Sequence, residues 1–410
     1  MKHADLCIVG AGHAAGQLAV SLRQTGFDGS VLMAGEETYP PYQRPPLSKK
    51  FLAGELASER LFLKPAEFYT EAEITLALGA TVSKVDTAKH TANIDRLGEV
   101  SWSQLVFATG SRVRRLAIPG EALAGVHYLR SIRDTDAIRA AFKPGRKVVI
   151  IGGGYLGLEI AAVAATAGLT VTVLEQSERL LSRVVSPPLS EFYEDVHTQA
   201  GVDVRTGVGA IAFEGDDAVA QVITQTDEAI AADLVIVAIG VVPNVELAQD
   251  AGVACDNGIR VDEYCRTDVD DVLAIGECTN HPNPLLNRRL RLESVPNALD
   301  QARTAAATLT GELKPYSQVP WFWSDQYDLK LQMAGLIDGY DTHVLRGDPA
   351  TRQFASFYLR EGGLIAMDAV NSPKDFLFAK PLIADQRQIP QDKLADPDYS
   401  LKQAAVDYPG

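Results

Sequence analysis

The 410-residue sequence has few cysteines, and none of them lies close to another. Cys7, Cys255, Cys265 and Cys278 form no C-x-x-C pair and no pattern of zinc or cluster ligands, so we expect neither a metal site nor an iron–sulfur centre. The sequence also lacks an apolar run near the roughly 20 residues that a membrane-spanning helix needs. No signal-peptide pattern precedes the first predicted strand, and we therefore expect a cytoplasmic protein.

Positive charge is also scarce. The chain has 38 lysines and arginines against 53 aspartates and glutamates, which gives a formal net charge of -15. A chain this acidic is not expected to bind nucleic acid. Arg288, Arg289 and Arg291 form a local basic cluster, which is either an ordinary solvated loop or a docking surface for an acidic partner. The length and the hydrophobic content of 46% predict two or three globular domains.

Two glycine-rich turns are the most informative feature of the sequence. Each follows a short apolar run that predicts a buried strand, at residues 6–9 and 148–151, and each precedes a predicted helix. In such a turn the first glycine allows the tight bend, and the second lets the backbone approach a pyrophosphate at the helix N-terminus. The turn residues are Gly10, Gly12, Ala15, Gly152, Gly154 and Gly157, with Ala15 in place of a third glycine. Two bound dinucleotides are therefore expected.

An acidic residue follows each turn, near the end of the next predicted strand. Glu36 and Glu175 have about the spacing that places a carboxylate on a ribose hydroxyl. Glu175 would repel a 2′-phosphate, and the following Gln176 and Ser177 supply no compensating cation. The second site is therefore expected to prefer NADH over NADPH. Arg183 lies further along the chain and is a candidate for contact with the pyrophosphate or the adenosine.

Several further segments carry a resemblance to a known family. They are 44–49 (RPPLSK), 108–110 (ATG), 152–159 (GGGYLGLE), 293–298 (ESVPNA) and 320–326 (PWFWSDQ). With the two turns, they make the chain similar to the flavoprotein disulfide reductases of glutathione reductase type. Within that superfamily the chain resembles the NADH-dependent ferredoxin reductases of bacterial oxygenase systems. The resemblance covers essentially the whole chain and implies FAD and NADH as cofactors.

The resemblance also implies a domain organisation. The expected fold class is α/β, with two Rossmann-like dinucleotide-binding domains and a C-terminal α+β domain. The FAD-binding domain is expected at residues 1–112 and 245–318, and the NADH-binding domain at 113–244. The C-terminal reductase domain is expected at residues 319–410, where period-two apolar positions predict antiparallel strands. The oligomeric state stays open between monomer and homodimer.

Carried onto matching positions, the resemblance implies a set of cofactor contacts. At one of them, Gly276-Glu277, the family usually has Gly-Asp. The residues expected to contact FAD are Gly10, Gly12, Ala14, Ala15, Glu36, Arg44, Lys49, Val82, Thr109, Gly110, Arg130, Gly276, Glu277, Val295 and Trp321. The residues expected to contact NADH are Gly152, Gly154, Leu156, Gly157, Glu159, Glu175, Arg183 and Gly240.

Lys49 and Glu159 are the expected catalytic residues. In this chemistry a hydride passes from the nicotinamide to flavin N5, and the protein sets the orientation of the two cofactors. Lys49, on a proline-rich segment, is expected to place a cation near N5, while Glu159 pairs with it and contacts the nicotinamide. The alternatives are a surface lysine and an exposed helix acid.

The expected electron acceptor follows from a missing thiol. Prolines, Leu47 and Ser48 stand where related disulfide reductases have a redox cysteine. The flavin is therefore expected to pass single electrons to an external carrier, and the resemblance implies that this is a [2Fe-2S] ferredoxin that feeds a terminal oxygenase. A rubredoxin or another one-electron carrier, or an NADH-sensing role like that of apoptosis-inducing factor, stay open as alternatives. Trp321 and Trp323 share one face of a predicted strand, and either one covers the flavin or both pack in the core.

Overall fold

The computed structural model describes residues 2–409. Its strands are β1 (His3–Val9), β2 (Val31–Gly35), β3 (Ile74–Leu78), β4 (Val82–Asp86), β5 (Thr91–Ile94), β6 (Gly98–Phe107), β7 (Ser111–Val113), β8 (Val126–Tyr128), β9 (Lys147–Ile151), β10 (Thr170–Glu175), β11 (Asp203–Thr206), β12 (Ala210–Glu214), β13 (Gln221–Thr224), β14 (Ala229–Ala231), β15 (Leu234–Val237), β16 (Val241–Pro243), β17 (Ile259–Arg260), β18 (Val272–Ala274), β19 (Thr279–Asn283), β20 (Arg288–Leu290), β21 (Trp321–Gln326), β22 (Leu329–Gly335), β23 (Thr342–Asp348), β24 (Gln353–Arg360) and β25 (Gly363–Val370). Its α-helices are α1 (His13–Gln24), α2 (Ala66–Glu71), α3 (Ile132–Ala141), α4 (Tyr155–Thr166), α5 (Pro187–Gln199), α6 (Glu246–Asp250), α7 (Val295–Leu309), α8 (Pro373–Ala384), α9 (Gln391–Ala395) and α10 (Leu401–Asp407). Within residues 2–409, no helix has the length and apolar character needed to cross a membrane.

The chain forms two compact units. The first contains the residues up to Arg44 together with Glu59–Arg112 and Val242–Pro320. The second contains Pro45–Ser58, Val113–Val241 and the residues from Trp321 onward. The second unit thus holds most of both the predicted NADH-binding domain and the predicted C-terminal domain, so the three-domain division stays a prediction.

A seven-stranded sheet forms the centre of the first unit. Strands β3, β2, β1 and the C-terminal half of β6 run parallel, and β18 pairs parallel with the end of β6. The other half of β6 pairs antiparallel with β5, which pairs with β4. Helices α1 and α7 pack together against one face, where their alanines allow a close approach. Apart from His3 and Asp5 in β1, strands β1 and β2 are apolar and buried, as parallel strands covered on both faces require.

Two larger sheets organise the second unit. The first is parallel, in the order β11-β10-β9-β15-β8, with α4 packed on β9 and β10. The second is antiparallel, in the order β21-β22-β25-β24-β23, and α8 packs on β22 and β25. The antiparallel arrangement predicted for the C-terminal segment is therefore present. A small sheet of β12, β13 and β14 completes this unit.

Candidate functional site

The first glycine-rich turn joins β1 to α1 in the geometry that its sequence predicts. Gly10 has a φ of +110°, and a Cβ there would collide with the Ala108 carbonyl oxygen. Gly12 is the N-cap of α1, where no side chain caps the helix, and a Cβ on Gly12 would point into open space. The first N–H groups of α1 therefore face a space that a pyrophosphate fits. Ala14 and Ala15 are buried in the first turn of this helix.

The second turn repeats this geometry between β9 and α4. Gly152 has a φ of +111°, and a Cβ there would meet the Ala238 carbonyl oxygen. Gly154 is an uncapped helix N-terminus with open space on its Cβ side. Gly157 lies directly against the Gly152 carbonyl oxygen, which leaves no room for a larger residue. Each unit therefore contains one cradle that fits a dinucleotide pyrophosphate.

Glu175, at the end of β10, is held in place by the backbone. Its Oε2 accepts a hydrogen bond of 2.7 Å from the Gly153 N–H, and its Oε1 accepts one of 2.7 Å from the Ser177 N–H. Each carboxylate oxygen still has a lone pair for a ribose hydroxyl. Arg183, in contrast, is exposed, and its neighbour Arg179 is engaged by backbone carbonyl oxygens of its own loop.

Arg44 belongs to a polar cluster in the first unit that the sequence did not fully reveal. Its guanidinium donates to Glu37 Oε1 at 2.6 Å and to the Tyr42 hydroxyl at 2.9 Å, and the same hydroxyl donates to Glu37 Oε2. Burial by itself lowers the pKa of Arg44. The nearby Tyr42, Glu37 and Glu277 have the larger, opposite effect, so the pKa of Arg44 is raised. Arg44 is therefore a fixed cation. Glu37 was missed because it directly follows Glu36, the acid that the motif indicates.

His13, the first residue of α1, is a further polar group that the motif does not indicate. Its Nδ1 is buried and has no hydrogen-bond partner in the structure. Burial, with a smaller contribution from Arg44, lowers its pKa to about 4. The imidazole is therefore neutral at physiological pH.

Two amide side chains hold the small-residue turns of the first unit. The Asn244 side-chain amide donates to the Thr109 carbonyl oxygen at 2.9 Å, and the Thr109 hydroxyl donates to the Asn244 backbone carbonyl oxygen at 2.6 Å. The Gly276 N–H donates to Gln301 Oε1 at 2.7 Å, and Gln301 is fully buried in α7. Sequence reasoning missed Asn244 and Gln301, because each lies far along the chain from a turn it supports.

Lys49 and Glu159 form an ion pair in the second unit. Lys49 Nζ lies 2.6 Å from Glu159 Oε2, and the side chains are only 15% and 5% exposed. Lys49 follows a single 3-10 turn, Pro45–Ser48, and Glu159 projects from the second turn of α4. The Ser48 hydroxyl donates to Glu159 Oε2 at 2.5 Å, and the Ser324 hydroxyl donates to Oε1 at 2.7 Å. The two serines were missed, since neither forms a local pattern with Glu159.

The remaining predicted contacts are distributed over both units. In the first unit these contacts lie directly after β2, on β4, after β18 and at the start of α7. In the second unit they lie on the Pro45–Ser58 segment, on α4 and β21, and in the loops before α3 and after β15. In the first unit these residues are Glu36, Val82, Glu277 and Val295. In the second unit they are Arg130, Leu156, Gly240 and Trp321, in addition to Lys49.

The basic cluster is less free than its sequence indicates. Arg289 Nη2 donates to the carbonyl oxygens of Val261 and Asn280, at 2.6 and 2.5 Å. Arg291 is only 12% exposed and pairs with Glu293 at 2.6 Å. Arg288 lies on the surface, at the start of β20.

None of the four cysteines forms a disulfide. Cys7, Cys265 and Cys278 are buried, and Cys255 is half-buried. Burial raises the pKa of all four thiols, to about 12 for Cys7 and about 11 for Cys255. These groups are therefore protonated and weakly nucleophilic at neutral pH.

Comparison with known proteins identifies the family. The family model for pyridine nucleotide-disulphide oxidoreductases matches residues 4–302, and that for the reductase C-terminal domain matches residues 321–405. The ferredoxin reductase subunit of 5,5'-dehydrodivanillate O-demethylase from Sphingobium sp. is 45% identical over 406 residues, 98% of each chain. Putidaredoxin reductase from Pseudomonas putida is 39% identical over 405 residues, which cover 97% of this chain and 96% of the relative.

A solved structure agrees with this assignment. The crystal structure of the covalent putidaredoxin reductase–putidaredoxin complex matches with a TM-score of 0.95 at 38% identity, over 99% of this chain and 98% of that one. The predicted fold class, with its C-terminal α+β domain, is confirmed. The glycine cradles fit the two nucleotides that this family uses. The chain belongs to the pyridine nucleotide-disulphide oxidoreductase family and is an FAD- and NADH-dependent ferredoxin reductase.

Proposed function

We propose that this reductase passes single electrons to a [2Fe-2S] ferredoxin that feeds a terminal oxygenase, either an aromatic-ring dioxygenase or a haem monooxygenase. The observation that carries this proposal is the arrangement of the cysteines, none of which pairs with another and three of which are buried. Electrons cannot leave the flavin through a pair of neighbouring thiols, because the four cysteines form no such pair. The relatives support the acceptor, since one serves an O-demethylase and another forms a complex with putidaredoxin.

Lys49 and Glu159 act as one catalytic pair in this proposal. Their short, largely buried contact supports it, because water does not screen such a pair as it screens a surface pair. Each charge compensates the other. The two residues orient the nicotinamide and the flavin, and neither acts as an acid or a base. The flavin, when bound, would supply the conversion of one hydride into two single electrons and a proton. The protein's contribution is positioning and electrostatics.

NADH selectivity is assigned to Glu175 and ferredoxin docking to the basic cluster. The fixed carboxylate of Glu175 supports the first assignment, because it can accept from a 2′-hydroxyl and repels a 2′-phosphate. The surface position of Arg288 at the start of β20 supports the second, while Arg289 and Arg291 are held by neighbouring groups of the protein. We place the protein in the cytoplasm, where its four free thiols stay reduced.

The decisive experiment is NADH-driven cytochrome c reduction by the purified holoenzyme, with and without a [2Fe-2S] ferredoxin from the same organism. We expect a large ferredoxin-dependent rate with NADH and a small one with NADPH. If ferredoxin adds nothing while NADH still reduces the flavin, the acceptor is a different carrier and the oxygenase assignment is wrong. NADH-induced dimerisation with negligible turnover would instead indicate a sensing role.

A further inference from the structure

A continuous chain of hydrogen bonds runs through the second unit and ends at Glu159. The Tyr327 hydroxyl lies 3.1 Å from His197 Nδ1, and His197 Nε2 lies 2.9 Å from Gln326 Oε1. Gln326 Nε2 lies 3.2 Å from Ser324 Oγ, which lies 2.7 Å from Glu159 Oε1. Except for the half-buried Tyr327, every member of this chain is buried. The chain joins α4 to β21 and α5, whose residues are far apart in sequence.

Glu159, at the end of this hydrogen-bond chain, determines which atom donates in each of the bonds. An ionised carboxylate can only accept, so the single hydroxyl proton of Ser324 points to Glu159. Ser324 Oγ must then accept from the Gln326 amide nitrogen, and this leaves the Gln326 carbonyl oxygen facing His197. His197 therefore carries its proton on Nε2, while its Nδ1 accepts from the Tyr327 hydroxyl. Every donor in the chain points toward Glu159.

The state of His197 agrees with this direction. Burial lowers the pKa of His197, although its hydrogen bond to Gln326 acts in the opposite sense. A neutral imidazole has one donor and one acceptor nitrogen. These match the Gln326 carbonyl oxygen, which accepts, and the Tyr327 hydroxyl, which donates. Hydrogen bonds aligned head to tail polarise one another, and those that end on a charge are stronger than neutral ones.

The other carboxylate oxygen of Glu159 is equally well held. Oε2 receives the Ser48 hydroxyl and the Lys49 ammonium, and Lys49 Nζ also donates to the Pro45 carbonyl oxygen at 3.2 Å. Glu159 thus has donors on both oxygens, and rotation of its carboxylate would break bonds on both sides. The position of the Lys49 ammonium depends on that orientation.

We propose that Ser324, Gln326 and His197 are positioning residues that fix the orientation of the Glu159 carboxylate, and through it the position of Lys49. This inference rests on the proposed catalytic role of the Lys49–Glu159 pair. It assigns a function to polar residues that would otherwise be unexplained in the interior of the protein. Their effect is on the rate of hydride transfer and not on the affinity for NADH.

The first test reads the direction of the chain in the unmodified holoenzyme, without turnover. Two-bond ¹H–¹⁵N correlation spectra of histidine-labelled protein report which ring nitrogen carries the proton, and H197N assigns the signal. We expect a neutral His197 with its proton on Nε2. A proton on Nδ1 would reverse the chain and overturn the proposal.

The second test uses the variant S324A, with S356A as its matched control. Ser356 is buried in the same sheet as Ser324, but its hydroxyl has no hydrogen-bond partner. In S324A we expect the limiting rate of anaerobic flavin reduction by NADH to fall about tenfold, with the Kd for NADH within about twofold of the parent value. We also expect the His197 signal to lose its tautomer preference, because Gln326 can then rotate. In S356A both readouts should match the parent enzyme.

A further variant, E159Q, separates the proposed catalytic role of Glu159 from the proposed positioning role of Ser324. If E159Q is slow while S324A reduces its flavin at the parent rate, the catalytic pair stands and the positioning role is wrong. If E159Q itself matches the parent, the catalytic role of Glu159 is wrong and the inference falls with it. The spectroscopic test on the unmodified protein gives a result even if a variant folds poorly.

Discussion

Two carboxylates of the second unit show how strongly the local environment sets the behaviour of one residue. Glu175 accepts from two backbone N–H groups, and these fix it at a strand end beside the second glycine turn. Asp368, in β25, is buried in the C-terminal sheet, and the Tyr358 hydroxyl donates to it at 2.6 Å. Burial raises the pKa of Asp368 to about 7, although the bond from Tyr358 acts against this shift. One carboxylate is poised for a ligand, whereas the other is costly to ionise.

At Glu175 we predict a change of coenzyme preference. Replacing Glu175 with Ala removes both the acceptor for a 2′-hydroxyl and the charge that repels a 2′-phosphate. The kcat/KM for NADH should fall about tenfold or more, and that for NADPH should rise or stay level. The measurement is steady-state kinetics with both coenzymes. E178A, at an exposed acid three residues further on, is the control and should leave the ratio unchanged.

At Asp368 we predict a pH-dependent effect on stability. Because its folded pKa is raised from 3.8 to about 7, the native state holds the proton more tightly than the unfolded chain. The free energy of unfolding should therefore fall as pH rises from about 4 to 7, by at most about 1.4 kcal/mol per pH unit from this group. D368N should remove that slope and be more stable than the parent above pH 7.

Urea denaturation of the parent and variant holoenzymes across pH 4 to 8 measures the difference. D270N, at an exposed position, serves as the control and should keep the parent slope. Equal slopes in D368N and the parent would show that Asp368 is ionised throughout this range in the folded protein.

At the scale of elements, two glycines at the start of α4 have different roles, one in ligand binding and one in packing. Gly154 caps α4 with open space on its Cβ side, so its lack of a side chain matters for whatever approaches the turn. Gly157 packs against the Gly152 carbonyl oxygen, so its lack of a side chain matters for the contact between helix and turn. The same residue type therefore serves binding at one position and packing at the other.

The pair G154A and G157A tests this division of tasks. We expect G154A to fold with a melting temperature close to that of the parent and to bind NADH at least tenfold more weakly, because the methyl group occupies the pyrophosphate space. We expect G157A to lower the melting temperature by several degrees, since α4 must shift. Calorimetry and titration of flavin fluorescence with NADH distinguish the two. A stable G157A would show that the helix accommodates the methyl group.

At the scale of the whole molecule, charge opposes the proposed partnership. The chain carries a net charge of -15, which repels an acidic ferredoxin when the ionic strength is low. A local cluster such as that at Arg288 acts only at short range, within a Debye length of about 10 Å at 0.1 M salt. Docking of the ferredoxin thus depends on where the few exposed cations lie.

This balance predicts a specific response to salt. If Arg288 contacts the ferredoxin, R288A should lower the kcat/KM for ferredoxin several-fold at low salt and flatten its decline with ionic strength. K402A removes an equal charge at an exposed position of α10 and should leave the salt response unchanged. Stopped-flow reduction of the ferredoxin at several salt concentrations is the measurement. Equal effects of both variants would indicate general charge repulsion in place of docking at Arg288.

Local backbone demands made part of this molecule predictable from sequence. Gly10 and Gly152 are required by the turns themselves, because both have positive φ and no room for a Cβ. Gly12 and Gly154 leave open space at the N-termini of α1 and α4, which follow the apolar strands. The supporting side chains were not predictable. Ser324 reaches Glu159 across 165 residues, and no local pattern connects them. Strand β25 is buried along its whole length and therefore lacks the alternation that marks a surface strand.

The four protonated cysteines also have a practical consequence. Because their thiols resist ionisation at neutral pH, thiol-directed reagents will modify them slowly. A single cysteine introduced at an exposed position would therefore be the preferred attachment point for a spin label or a photocrosslinker. With such a probe placed beside Arg288 on the β19–β20 hairpin, the footprint of the electron acceptor can be mapped on the otherwise unmodified enzyme.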